Sequence, residues 1–175
     1  MKVGTLSLEA AHDEPLRFEN ELTVNPAALD REPLVSLSPL HIAGDVRRIE
    51  GGYALTARLV YEGQLECSRC LTPYPFHEDE TFSLVLSPRR PVAAEEIELE
   101  RADLDVFFYS DPTIELSPIV EERVQITLPM KPLCRPDCRG LCAKCGQDLN
   151  LGVCQCATET IDARWEALRA LREKV

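Results

Sequence analysis

Eight cysteines among 175 residues, set in two widely separated groups, constrain this chain more than any other feature. Cys67 and Cys70 form an isolated C-x-x-C, while Cys134, Cys138, Cys142, Cys145, Cys154 and Cys156 crowd into the single run CRPDCRGLCAKCGQDLNLGVCQC. Such spacing suits metal binding better than a disulfide framework. Two cysteines separated by two residues can grip one ion from a tight turn, and eight thiolates suffice for two tetrahedral sites of four, the arrangement zinc prefers. Cys142-Ala-Lys-Cys145-Gly146 has the form of a metal knuckle, because glycine after the second cysteine permits unusual backbone angles and its amide can donate toward sulfur.

Two groupings satisfy the count. In the first, Cys142, Cys145, Cys154 and Cys156 close a short loop around one ion, and Cys134 and Cys138 join Cys67 and Cys70 around a second. In the other, Cys134, Cys138, Cys142 and Cys145 share an ion and leave Cys67, Cys70, Cys154 and Cys156 for its neighbour. Spacing favours the first, which resembles ordinary zinc ribbons, without excluding the second. A long-range closure through Cys67 and Cys70 would contribute folding free energy.

The amino-terminal MKVGTLSLEAAHDEP lacks the basic stretch and apolar run of a secretory signal, and no segment reaches membrane-spanning length, so a cytoplasmic protein without membrane contact is expected. In a reducing compartment thiols persist, which favours metal or redox roles over disulfides. The net charge of −11 argues against a chain that coats nucleic acid. The charge is uneven, however: residues 1–122 carry 10 basic and 24 acidic side chains, and residues 123–175 carry 9 and 6. Contact with RNA is therefore expected from the carboxyl end, where Lys131, Arg135, Arg139 and Lys144 flank the cysteines. Balancing the charge of metal-bound thiolates is an equally good use for those cations.

Alternating apolar residues predict strands between Leu34 and Leu86, including a hairpin turning at Gly51-Gly52 with Tyr53, Leu55, Ala57 and Leu59 on one face. TFSLVLS resumes the alternation through Phe82, Leu84 and Leu86, which leaves the C-x-x-C in the connection before it. A long antiparallel meander follows. The acidic, proline-flanked PRRPVAAEEIELERAD reads as a solvated loop, and DLDVFFYSDPTIELSP as one further strand. Ser117 and Pro118 suit the N-cap and first residue of a helix whose Ile119, Val120, Val124 and Leu128 form a core-facing stripe ended by Pro129 and Pro132. A last helix is predicted from Ile161, Trp165, Leu168 and Leu171, packed on the body or, alternatively, against a partner. The expected organisation is a mainly β domain over 1–130, a zinc-binding module over 131–158 and a helix over 159–175.

Catalytic constellations are sparse. His12, His41 and His77 fall in no hydrolase or triad motif, there is no glycine-rich phosphate loop, and no site for a small-molecule substrate is evident. A redox role for Cys67 and Cys70 competes with metal binding, but a reactive C-x-x-C usually opens a helix, and Pro73 and Pro75 oppose one here. If all eight cysteines fill closed sites, no coordination position remains open for chemistry.

LECSRCL, DLDVFFY, SPIVEERVQITLPMKPLC and CRGLCAKCGQDLNLGVCQC, in that order, resemble the YceD family of large ribosomal RNA subunit accumulation proteins. The ordered set, including G-L-C-x-x-C-G-x-D-L-N, is far more specific than a lone C-x-x-C. The resemblance implies a bacterial or organellar protein supporting accumulation of large-subunit (23S) ribosomal RNA during ribosome assembly, with no known enzymatic step. It carries Cys67, Arg69, Cys70 and the six distal cysteines over as motif positions. The resulting expectation is an α+β fold, mainly antiparallel β with a few helices and a zinc-ribbon-like module. Such a chain would bind two zinc ions and act without catalysis on ribosomal RNA or on ribosomal and assembly proteins. A thiol redox protein and a zinc-dependent interaction adaptor are the alternatives.

Overall fold

The long alternation through Leu55, Ala57, Leu59 and Tyr61, resumed at Leu65 beyond Gly63, becomes the central strand of the principal sheet. The structure is a computed structural model that describes residues 4–12, 14–29, 32–89 and 106–156. Among these lie eight strands, β1 (Thr5–Ser7), β2 (Leu16–Leu22), β3 (Leu34–Leu37), β4 (Leu40–Ile49), β5 (Gly52–Glu66), β6 (Pro73–Pro88), β7 (Val106–Tyr109) and β8 (Thr113–Glu115), and one α-helix, α1 (Leu116–Thr127). Two single-turn 3-10 segments occupy Leu8–Ala10 and Pro26–Leu29. The fold is mainly antiparallel β with one helix among the described residues.

By internal packing the chain forms two units, one comprising the residues to Ser68 with Thr72–Cys134, the other Arg69–Leu71 with the residues from Arg135 onward. The first holds the sheet, ordered β2-β4-β5-β6-β7, with β3 on the far end of β5 and a separate β1-β8 pair. Because side chains alternate across a strand, one face of the sheet is apolar and one polar. Ile42 and Val46 of β4, Leu55, Leu59 and Tyr61 of β5 and Leu86 of β6 are at most 1% exposed, while Arg58, Thr56, Asp79 and Ser83 point outward and bond one another across the strands. Helix α1 adds Leu116, Ile119, Val120 and Val124 to the same core, and Arg123 lies 4.7 Å over the Phe82 ring.

Several expectations are corrected. The hairpin turns at Glu50-Gly51, since Gly52 already pairs with Ile49; Gly51 alone takes the positive φ, 85°, that a side chain would resist. PYPFHEDE is strand rather than connection, because β6 begins at Pro73 and pairs with β5 from there. The prolines are tolerated because β7 reaches only Val85–Pro88, leaving that end of β6 with a single pairing neighbour among the described residues. VFFYSDPTIE forms two strands, broken where the Asp111 carboxylate accepts the Thr113 amide at 2.8 Å. The meander is also incomplete, as β6 and β7 run parallel.

The N-cap of α1 is Glu115, two residues before Ser117, and no side chain caps it. Instead the Leu116 amide donates to the Gly4 carbonyl at 2.7 Å, so a distant backbone group supplies what a serine would have. Pro118 then lies within the first turn, where its missing N–H removes no helical bond. The predicted stop holds: Leu128 is extended at ψ 129°, as a residue before proline prefers. The predicted helix over 159–175 and nearly all of the acidic loop lie outside the described residues.

Leu59→Ala removes a fully buried side chain and is expected to cost about 2–5 kcal/mol, whereas Ile126→Ala, at a position 61% exposed, is expected to change stability by less than about 0.5 kcal/mol. Urea denaturation of both variants checks the assigned core face.

Candidate metal centres

The short β5–β6 connection forms a turn at Cys67-Ser-Arg-Cys70 that buries both cysteines and leaves Ser68 and Arg69 exposed. The Cys67 amide donates to the Thr72 carbonyl at 3.1 Å and the Ser68 amide to the Pro132 carbonyl at 2.8 Å, so the knuckle is fixed from its own strand ends and from the segment leading to Cys134. Leu71 is the one described non-glycine residue at positive φ, 58°. Downstream, the Cys138 amide closes a turn onto the Arg135 carbonyl at 3.1 Å. The sulfurs of Cys67, Cys70, Cys134 and Cys138 lie within 4.8 Å of one another. Cys67, Cys70 and Cys138 are buried. Burial and the neighbouring Cys67 and Cys134 raise the Tyr74 hydroxyl above its usual range.

The second set of four sulfurs, from Cys142, Cys145, Cys154 and Cys156, is gathered just as closely and faces solvent. Its first half is a knuckle: the Gly146 amide returns to the Cys142 carbonyl at 2.9 Å with Gly146 at φ 72°, and the Cys142 amide donates to the Gln147 carbonyl at 2.8 Å. The Lys144 amide points at the Cys142 sulfur, 3.5 Å away. Backbone donation from Cys145 and Lys144 holds the Cys142 thiol down to about 6, while hydrogen bonding with Cys145, together with burial, pushes Cys156 up to about 12. The hydrogen bonds within the cluster thus favour the thiolate at Cys142 and the thiol at Cys156. A cation among them would displace the remaining protons.

The donor sets fit a thiophilic metal. Four sulfurs at about 2.3 Å from a tetrahedral ion would stand roughly 3.8 Å apart, compatible with mutual separations below 4.8 Å. The two four-cysteine clusters could each hold a metal ion, in the first of the two groupings that the spacing allowed. Among the described residues of the second unit the only buried apolar side chains are Cys70 and Cys138, and Leu151 and Val153 are 88% and 83% exposed. Metal bound there would contribute folding free energy that the described side chains do not supply by apolar burial.

Two features that spacing did not reveal organise this unit. Arg69 donates from Nη1 to the Cys138 carbonyl at 2.7 Å and accepts the Leu141 amide on its own carbonyl at 3.2 Å. Gly140, at φ 73°, packs so near that a Cβ there would stand 2.9 Å from the Arg69 oxygen. Asn150 donates from Nδ2 to the Cys138 sulfur at 3.3 Å and accepts the Arg139 amide at 2.8 Å. Both belong to quoted motifs, C-x-R-C and D-L-N, but nothing in the spacing assigns them a task.

Of the basic residues singled out, Lys131 belongs to the first unit and Arg135, Arg139 and Lys144 to the second; all four are exposed. Arg135 is engaged, bonding Asn150 Oδ1 at 2.8 Å and lying 3.6 Å from Asp137. The histidines stay apart on the first unit: His41 beside Glu21 at 3.1 Å, His77 beside Glu62 at 3.3 Å, and His12 beside Arg48 at 3.3 Å.

Comparison with known proteins gives this arrangement its class. A family model described as "Large ribosomal RNA subunit accumulation protein YceD" matches residues 55–172, a span containing all eight cysteines. The chain belongs to the YceD family. An uncharacterized protein of Mycobacterium leprae is 38% identical over 84 residues, covering 48% of this chain and 37% of that protein. An uncharacterized protein of Mycobacterium tuberculosis is 30% identical over 123 residues, covering 70% of this chain and 57% of its own length. The chain thus spans about a third to three fifths of these relatives. A chloroplastic large ribosomal RNA subunit accumulation protein YCED homolog 1 of Arabidopsis thaliana is 32% identical over 62 residues, 35% of this chain and 19% of that protein. No solved structure matches.

Gly140→Ala forces a side chain against the Arg69 backbone, whereas Gly146→Ala meets nothing within 4 Å and bears only the cost of its positive φ, about 1–2 kcal/mol. Zinc affinity measured by chelator competition is expected to fall further for Gly140→Ala than for Gly146→Ala. Equal losses would deny the Gly140–Arg69 contact any weight.

Proposed function

We propose that this chain is a non-enzymatic, zinc-stabilised factor that supports accumulation or processing of large-subunit (23S) ribosomal RNA during ribosome assembly. The carrying observation is the convergence of all eight cysteines into two clusters of four in a member of the YceD family. Four sulfur donors per ion leave no open position for a substrate or an activated water, so the metal acts on shape rather than as a Lewis acid. A redox role for Cys67 and Cys70 is poorly supported, since they are 0% and 5% exposed and each has three sulfur neighbours rather than one. No described helix is long and apolar enough to cross a membrane.

In this reading the two ions, held by Cys67, Cys70, Cys134 and Cys138 and by Cys142, Cys145, Cys154 and Cys156, fix the cations around them. Lys131, Arg135, Arg139 and Lys144 then serve as the contact set for ribosomal RNA or for a ribosomal or assembly protein. The acidic first 122 residues limit nonspecific attachment to phosphate.

Salt dependence separates RNA from protein as the partner. Binding to a large-subunit ribosomal RNA fragment is expected to weaken steeply with salt, and the slope of log K against log[salt] is expected to drop by about 2 in Arg139→Ala/Lys144→Ala, with metal content unchanged. Retention of the full slope by that variant would remove these residues from the contact. No measurable RNA binding by the zinc-loaded chain would favour the protein-adaptor reading.

A further inference from the structure

We propose that Asn150 couples the two four-cysteine centres, so that metal held by Cys142, Cys145, Cys154 and Cys156 tightens metal binding at the centre containing Cys138. The proposal rests on the metal-binding reading above and concerns how one site regulates the other.

Asn150 lies in the loop joining the two halves of the solvent-facing cluster, after Cys145 and before Cys154. Its side chain reaches the other centre, donating from Nδ2 to the Cys138 sulfur at 3.3 Å. The amide cannot turn round without losing its bonds. Oδ1 faces only donors, the Arg139 backbone amide and the Arg135 guanidinium, each at 2.8 Å. Nδ2 faces only acceptors, the Cys138 sulfur and the Asp148 carboxylate at 2.7 Å, and that same carboxylate oxygen accepts the Asn150 backbone amide at 2.8 Å. A donor aimed at a ligand sulfur offsets part of the thiolate's charge and fixes the direction in which that sulfur faces an ion.

The donor stays in place only while its loop does. Leu149 is tied to the Gly140 carbonyl at 2.9 Å and Leu151 to the Asp148 carbonyl at 3.2 Å, but the Leu151 and Val153 side chains are largely exposed. An ion shared by the flanking cysteine pairs closes that loop and fixes Asn150. Metal at the solvent-facing centre therefore delivers an N–H donor to the buried one, and by linkage metal at the buried centre returns the same advantage. Outer-shell partners of this kind are worth about 10–100-fold in metal affinity.

Cadmium-113 NMR of the full chain tests this. Two resonances are expected at saturation, and fewer than two bound ions would defeat the metal reading itself. With both sites loaded, scalar coupling between the Asn150 side-chain amide proton and the cadmium bound by Cys138 is expected. Absence of that coupling while two ions are bound would overturn the proposal and leave the metal reading intact. Cys142→Ser/Cys145→Ser, which removes the solvent-facing centre, is expected to weaken cadmium at the remaining centre about tenfold. In an Asn150→Asp background, where the donor becomes an acceptor of the same shape, removing that centre is expected to have no further effect. The same tenfold loss in both backgrounds would place the coupling elsewhere.

Discussion

Four sulfurs held within 4.8 Å of one another, twice in one chain, are the constraint on which the rest of this structure depends. Two thiolates 4 Å apart repel by about 1 kcal/mol in water and about 4 kcal/mol at the effective dielectric of a protein surface. A set of four contains six such pairs. Such a cluster either retains its protons, as the raised Cys156 thiol illustrates, or encloses a cation that neutralises it. With a divalent ion the repulsion becomes coordination, and the same geometry turns from a cost into a source of folding free energy.

The two units would draw on that energy unequally. The first has a sheet whose apolar face, with α1, buries two dozen hydrophobic side chains. The described part of the second buries only Cys70 and Cys138 among its apolar residues, and its turns are held by backbone hydrogen bonds and by Arg69 and Asn150. An ion shared by Cys67, Cys70, Cys134 and Cys138 would also close into one loop the chain that contains β6, β7, β8 and α1. Closing so long a segment restricts the unfolded chain, a contribution that grows slowly with loop length. Bound metal would thus bear on the sheet through chain connectivity and on the second unit directly.

What the sequence disclosed follows from where the physics is local. The faces of β5 and of the end of β6 could be read from Leu55, Leu59, Phe82 and Leu84 because strict alternation has one structural meaning. The first half of β6 was hidden because its inward positions include Glu78 and Glu80, and because Pro73 and Pro75 read as breakers. β2 was hidden for a similar reason, its inward Leu16, Phe18 and Asn20 being only half buried. The start of α1 could not be placed, since its cap is the carbonyl of Gly4, more than a hundred residues away. Cysteine grouping was legible because a C-x-x-C can bite only what its own turn faces, although two pairings remained open until the fold brought the sulfurs together. Arg69, Gly140 and Asn150 were not assigned roles, because hydrogen bonds to a carbonyl or a sulfur leave no periodic trace.

Zinc-edge X-ray absorption of the full chain, with zinc and protein quantified on the same sample, tests the central claim most directly. Two zinc ions per chain are expected, with a first shell of four sulfurs at about 2.3 Å and no nitrogen or oxygen. A single ion per chain, or a shell containing lighter donors, would contradict it.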